Sequence, residues 1–531
     1  MAAAFAAIVL FIFMGNPSGH DFEFHMYSWM EVVHQWQEGI LYPRWASFAH
    51  WTYGEARFLF YPPASWTLGA LLGTVLPWKM ASGAYVWCAL TASGVSMFLL
   101  ARRWLDPQNT LFAAILYALN PYHLVVVYWR SALAELLAGC LLPLLLLFVL
   151  RCEEKGHQMI LPLSAVVAAS WLTNVPAAVM VNYSLALLVV TVAIRWRKPR
   201  LLLYAAAAVL LGAALAAFYL VPAVYEESWI NLGEILAPGV RPADNFLFTR
   251  TADVDHNRFN LLISIVATAE ILIVCATIWL FRRRREQPTI LSCTLTVWAG
   301  VAAILMCSLT RVFWTILPEL RFVQFPWRWL LCMNVAFALF VTIVFRRWRI
   351  RLALCLAMLC VLAILWHRVQ QPWWDAAADI QEMRDAIDDG VGYEGTDEYV
   401  PAGVDPYQLN KDAPQIAVIS RRPAHVRILA WRAQSKRFTV EVTHPEKLRL
   451  RLLNYPAWQI EVNGVTINAK SQSVTGEILV PVEAGISEVR VNFVRTSDRL
   501  LGGTITAIAV LLVAAWTLYQ KRQSLTTLRR N

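Results

Sequence analysis

The chain has 531 residues, 58% of them hydrophobic and only 15% charged, with a mean hydropathy of +0.50, which excludes a single soluble domain and places it in the polytopic membrane class. Its formal net charge is +10, yet the arginines stand in short clusters beside apolar runs and not on one surface, so nucleic acid is not the partner they imply. Eight of the nine cysteines fall within apolar runs and Cys152 falls on a turn; no disulfide framework is predicted, and no C-x-x-C pair suggests zinc.

In chain order, Ala2 to Met14 reads as a short first span. No basic residue precedes it, so a cleaved signal peptide is not expected, and a start site downstream of the natural one is compatible with that pattern. A polar, aromatic loop follows and carries Asp21, Glu23 and His25. Phe22, Met26, Trp29, Met30, Val33 and Trp36 then recur on one helix face with Glu31, Gln35 and Glu38 opposite, which predicts an amphipathic helix lying on the membrane. Segment 64–78 is read as an interfacial or partly inserted helix, because one more crossing there would reverse every later basic cluster.

Long apolar runs follow at about 80–101, 109–127, 132–150, 160–176, 178–194, 201–223, 259–280, 289–309, 329–345, 352–366 and 500–519. The basic clusters at Arg102-Arg103, Arg151 with Lys155, Arg195 to Arg200, Arg282 to Arg285, Arg346 to Arg351 and the tail Lys521-Arg522 with Arg529-Arg530 occupy every second loop. The positive-inside rule makes those loops cytoplasmic and puts the Asp21 loop, the 128–131 turn, the 224–258 loop, the 310–328 segment and residues 367–499 outside. Past Gln370 an acidic helical stretch, Trp373 to Asp389, leads into short runs of period two: 438–442, 448–452, 459–462, 476–482 and 488–493. Asn463-Gly464 marks a two-residue hairpin.

The expected architecture is a mainly α-helical polytopic membrane protein of about twelve transmembrane helices. A transmembrane domain over 1–366 carries a first external loop at 16–79. An external domain over 367–499 holds an antiparallel β-sandwich from about 415, and 500–531 is the last span with a cytoplasmic tail. The setting is the inner (plasma) membrane.

Ionisable side chains at a lipid boundary are costly to hold, which makes them candidates for a site. Asp21 suits a general base, with helix capping as the bland alternative. Glu23 could join Asp21 in holding a divalent ion such as Mg2+ or Mn2+. Glu135, just inside a span, either serves the site or pairs structurally with Arg130. Arg44, Arg130 and Arg328 lie near external span ends, where a guanidinium could clamp phosphate oxygens or merely snorkel, with a pair to Glu319 as a further alternative for Arg328. His25, Tyr61 and Gln324 complete the candidates, and the 224–258 loop could close over them.

The motifs Gly19-His-Asp-Phe-Glu-Phe-His25, Tyr42-Pro-Arg-Trp45, Phe60-Tyr-Pro-Pro63, Gln324-Phe-Pro-Trp-Arg328, Gly395-Thr-Asp-Glu-Tyr-Val-Pro401 and Asn454-Tyr-Pro-Ala-Trp458 resemble bacterial membrane proteins labelled as related to 6-pyruvoyl-tetrahydropterin synthase, close to the YfhO-type membrane proteins. A short first span, a loop with Asp-x-Glu and a Pro-Pro opening the next helical hairpin also resemble the GT-C glycosyltransferases. That resemblance implies sugar transfer from a polyprenyl-phosphate donor to an external glycan, lipid or protein, with Asp21 at the reacting centre. A non-catalytic assembly protein of envelope polysaccharide synthesis and a transporter of lipid-linked sugars are the alternatives.

Overall fold

The computed structural model describes residues 1–284, 289–369, 373–420 and 422–528; Arg285, Gln370 and the Arg529-Arg530 end of the basic tail lie outside them. Among the described residues seven helical stretches are long and apolar enough to cross a bilayer, and nine if two sharply bent helix pairs each count as one span. The expectation of about twelve differs at three places. Leu133–Thr173 is one 41-residue helical stretch in that reckoning, but the chain turns at Gly156, whose φ is 51°, and the helices Leu141–Lys155 and Ile160–Thr173 pack against each other. The other two are the short apolar helix α1 (Ala2–Met14) and the apolar helix Trp348–Val369.

Caps fix several helix starts. Asp106 accepts from the N–H groups of Gln108 and Asn109 at 3.1 Å, with Pro107 at the first helical position, where its missing N–H costs nothing. Between α1 and the first long span lie α2 (Phe22–Gln37) and α3 (Pro63–Val75). At 13 residues, α3 is about 20 Å long, short of a ~30 Å hydrocarbon core. It packs against α2.

The polar face predicted for α2 does not meet water. Glu31 and Gln35 are fully buried, so the reading of a helix lying on the membrane surface is corrected. The reason is a partner the helical period cannot reveal. The loop 45–57 folds over that face, and Glu31 accepts from the backbone N–H and hydroxyl of Ser47, from Phe48 N–H and from Tyr393 hydroxyl.

The predicted loop alternation reappears as two ends of the molecule. At one end β1 (Asn16–Pro17) pairs with β2 (Trp374–Asp375), Gly19 meets Ser131, Ile230 bridges Pro401, and Gln324 donates to the Ile235 carbonyl. At the other, Arg103 pairs with Glu154, Lys198 with Glu153, and Arg351 donates to Asn109. The segments assigned outside therefore share one face, and basic-cluster loops meet on another.

The C-terminal domain is a two-sheet antiparallel sandwich. One sheet takes β3 (Ile416–Val418), β6 (Glu446–Leu453), β10 (Glu477–Val482) and β9 (Lys470–Ser471) in that order; the other takes β4 (His425–Arg432), β5 (Ser435–Val442), β11 (Gly485–Phe493), β7 (Trp458–Val462) and β8 (Val465–Ile467). Alternate residues such as Phe438, Val440, Leu448, Leu450, Val489 and Val491 fill the space between them, all fully buried, as period two requires. Trp45 of the first loop inserts among Tyr455, Trp458 and Phe493, fastening the sandwich to the membrane domain.

Candidate functional site

The helical span Pro107–Arg130 ends in a π-turn, Val126–Arg130, after which Ser131 takes a left-handed conformation, φ 49°. Such turns re-aim side chains that a regular helix would bury elsewhere. Here the turn swings Arg130 back toward Glu135, and its Nη1 donates to Glu135 Oε2 at 2.5 Å. The same oxygen accepts from Arg328 Nε at 2.9 Å, and Tyr122 hydroxyl donates to Glu135 Oε1. Arg328 is held further by the Val323 carbonyl at 2.8 Å and Gln324 Oε1 at 3.0 Å. Phe325 lies under both guanidiniums, 5.4 Å from Arg130 and 4.5 Å from Arg328, and Trp327 lies 4.8 Å from Arg130.

Tyr122, Arg130, Glu135 and Arg328 are nearly or fully buried. Two guanidiniums share one carboxylate, so the cluster keeps one net positive charge in a place that rewards an anion.

The first loop is pinned to that turn. Gly19 N–H donates to the Ser131 hydroxyl at 3.0 Å, which donates to the Pro17 carbonyl at 2.8 Å. Asp21 N–H donates to the Arg130 carbonyl at 3.0 Å. Asp21 occupies the N-cap position of α2, yet its side chain makes no capping hydrogen bond; the bland alternative for this residue is not realised. Its charge reaches His20, His25, Tyr61, Arg130 and Arg328.

His25, one turn on, is buried and accepts from Leu133 N–H at Nε2, 3.2 Å. The proton therefore sits on Nδ1, which has no hydrogen-bond partner among the described residues. Burial brings His25 down to about 4 against the upward pull of Asp21, so the ring is neutral at physiological pH. Tyr61 stands against Phe24 and His25 at ring distances of 4.7 and 6.0 Å, its hydroxyl pushed well up by burial and then by Asp21. His20 packs edge-on to Phe259 and feels the charge of His256, which brings the 224–258 loop and the helix after it beside Asp21.

Two candidates lie elsewhere. Glu23 is exposed, and its charged neighbours are Asp375 and Glu394, which, after burial, raise its pKa. Two positions apart on a helix, Asp21 and Glu23 do not face each other. Among the described residues no group of three His, Cys, Asp or Glu side chains is close enough to hold a metal ion. Arg44 sits beside Glu226, Arg495 and Arg499 and is not part of the Arg130–Arg328 pair.

Sequence reasoning missed a second buried network. Glu55 accepts from Arg57 Nε at 2.6 Å and from Thr396 N–H at 2.8 Å, with His50 Nε2 at 3.0 Å. Arg57 Nη1 donates to Ser28 hydroxyl on α2 at 3.0 Å. Burial alone would raise Glu55, but Arg57 and then His50 outweigh it and hold the carboxyl at about 2. His50, Trp51 and Thr52 all have φ between 50° and 72°, a strained run held by Trp51 N–H to the Tyr393 carbonyl and Arg451 to the Trp51 carbonyl. The signal that could have found this network is Gly395: a Cβ there would meet His50 Nε2 at 2.3 Å and Glu55 Oε2 at 2.6 Å.

A family model described as "6-pyruvoyl-tetrahydropterin synthase related domain; membrane protein" matches residues 58–371. The chain belongs to this family. No curated protein matches it. Among solved structures, arabinofuranosyltransferase AftD from Mycobacteria is similar at 16% identity and a TM-score of 0.42, over 68% of this chain and 27% of that one. The apo oligosaccharyltransferase of Archaeoglobus fulgidus is similar at 14% identity and a TM-score of 0.35, over 74% and 55%. The chain thus spans about a quarter and about half of those two proteins.

Proposed function

We propose that the protein is a membrane glycosyltransferase of the GT-C type, moving a sugar from a polyprenyl-phosphate donor to an external glycan, lipid or protein acceptor. The observation that carries the reading is the joining of Asp21, a carboxylate free of capping duty, to the buried Arg130–Glu135–Arg328 cluster with its one net positive charge. An acid that can take a proton thus stands beside guanidiniums that can hold a phosphate.

In this reading the acceptor hydroxyl attacks the anomeric carbon and gives its proton to Asp21. The bond between that carbon and the phosphate oxygen breaks, and the lipid phosphate leaves with the electron pair. Arg130 and Arg328 meet the charge that gathers on its oxygens. Glu135, held by three donors, sets the two guanidiniums in place, and His25 Nδ1–H and Tyr61 offer polar contacts to the sugar. The first loop and the β domain face outside the plasma membrane.

The test is transfer by purified protein in liposomes, offering labelled polyprenyl-phosphate sugars with and without a chelator. Asp21→Asn keeps size and main-chain bonding but cannot take a proton; it should lower turnover by about 10²–10⁴ with an unchanged melting temperature. Retained turnover in Asp21→Asn removes the base assignment. Comparing lipid-linked sugars in cells with and without the protein would name the donor, which should accumulate.

A further inference from the structure

Arg44 is half-buried, yet it makes no hydrogen bond or ion pair with any described residue. Its guanidinium lies 4.9 Å from the centre of the Tyr42 ring. The carboxylate whose charge acts on it, Glu226, is already committed: Arg499 donates to both its oxygens at 2.7 and 2.8 Å, and Tyr455 hydroxyl donates at 2.6 Å. Arg495 and Arg499 add positive charge around Arg44. A half-desolvated guanidinium with no anion is costly unless something outside the chain supplies one.

Tyr42 also walls an apolar groove of about 450 Å³, with Leu68 and Leu71 of α3, Leu172 and Phe218. Its ring packs on Trp66 and Phe218 at 5.5 and 5.8 Å, so the residue under the free cation is also part of the groove wall. Leu71 is 51% exposed, which leaves the groove open along α3, a helix too short to cross the bilayer.

We propose that this groove and Arg44 together bind an anionic phospholipid of the bilayer, an acyl chain lying on Leu68, Leu71, Leu172 and Phe218 and the phosphate on the Arg44 guanidinium. A planar fork suits two phosphate oxygens. The site is distinct from the one assigned to the sugar donor: a phosphate at Arg44 stands among Arg495 and Arg499, whereas Asp21 interacts with Arg130 and Arg328. The inference holds whether or not the protein transfers sugars.

The experiment is native mass spectrometry of the full-length protein in detergent, titrated separately with dioleoyl-phosphatidylglycerol, dioleoyl-phosphatidylcholine and a polyprenyl phosphate. Wild type should take up one phosphatidylglycerol at a concentration at least tenfold below that needed for phosphatidylcholine. Arg44→Gln should erase that preference, and Leu71→Trp, which fills the groove and leaves Arg44 intact, should lower uptake of both phospholipids. Equal uptake of the two by wild type overturns the proposal with no variant needed. An unchanged phosphatidylglycerol adduct in Arg44→Gln does the same, as does an adduct formed with polyprenyl phosphate alone.

Discussion

The backbone N–H of Asp21 donates to the carbonyl of Arg130 at 3.0 Å, so the acid of the first loop and the first arginine of the buried cluster are fastened through main chain and not through their charges. That leaves the Asp21 carboxylate available to a ligand, while the Arg130 guanidinium stays held on Glu135. The fastening depends on close approach: a Cβ at Gly19 would meet the Arg130 carbonyl carbon at 2.5 Å and Ser131 N at 2.6 Å, both backbone atoms that cannot yield cheaply.

Gly19→Ala should therefore push the loop off the turn. The expected result is a loss of transfer of at least tenfold with a drop in stability of about 1–3 kcal/mol, the usual cost of overpacking. Gly233, with open space around its Cβ position, is the control, and Gly233→Ala should leave both unchanged. Turnover in liposomes and thermal unfolding measure the two effects; wild-type turnover in Gly19→Ala would show that the contact does not position Asp21.

Within the cluster, Glu135 and Arg328 should respond differently. Glu135→Gln leaves two buried guanidiniums without their carboxylate and should cost about 3–5 kcal/mol of stability, the penalty for breaking a buried pair. Arg328→Lys keeps a charge but loses the fork that reaches Glu135, Val323 and Gln324 at once. It should weaken donor binding roughly tenfold to a hundredfold, matching ~1.5–3 kcal/mol for a hydrogen bond to a charged group. Donor titration and melting curves on both variants separate the effects. Equal donor affinity in Arg328→Lys and wild type would move Arg328 out of the phosphate site.

The shared face of the first loop and the β domain, combined with the positive-inside rule, predicts their labelling. Cysteines placed at Leu41, 82% exposed, and at the exposed Ser471 should react with a membrane-impermeant thiol reagent added to intact cells, in a background stripped of native cysteines. A cysteine at Arg200, on the opposite face, should react only after permeabilisation. Reaction at Arg200 with none at Leu41 would reverse the orientation.

What could be read from sequence was what repeats locally or stands out chemically. Period-two strands such as 438–442 and 488–493 appear where expected, and the basic-cluster loops at 102–109, 151–155, 195–200 and 346–351 meet at one end, because each signal lies within a few residues of its cause. His425–Arg432 was not read as a strand; as the edge of its sheet it exposes Ile428 and Leu429 alike, so no alternation marks it. The local Arg130–Glu135 pair was among the readings of Glu135 and is present, but the arrival of Arg328 on the same carboxylate was not legible, since that contact joins residues 193 positions apart. The polar face of α2 failed for the same reason: Tyr393, which caps Glu31, lies 362 positions away.

Glu398, in the Gly395–Pro401 motif, offers a pH test of how that strap sits on the membrane domain. Burial first, with the Glu55 charge adding to it and Arg57 opposing, raises its carboxyl to about 7. A carboxyl whose folded pKa is above its unfolded value binds its proton more tightly in the fold. Its contribution to stability is therefore fully present below about 4.5, the ordinary glutamate range, and is lost as pH rises through about 7. Glu398→Gln mimics the protonated form at every pH. Melting temperatures of wild type and variant should agree most closely near pH 4 and diverge as pH climbs toward 7, with the variant more stable, and the gap should stay constant above pH 8. A gap that does not change between pH 4 and 8 would mean that Glu398 reaches solvent and is not held against Tyr399 and the Glu55–Arg57 pair.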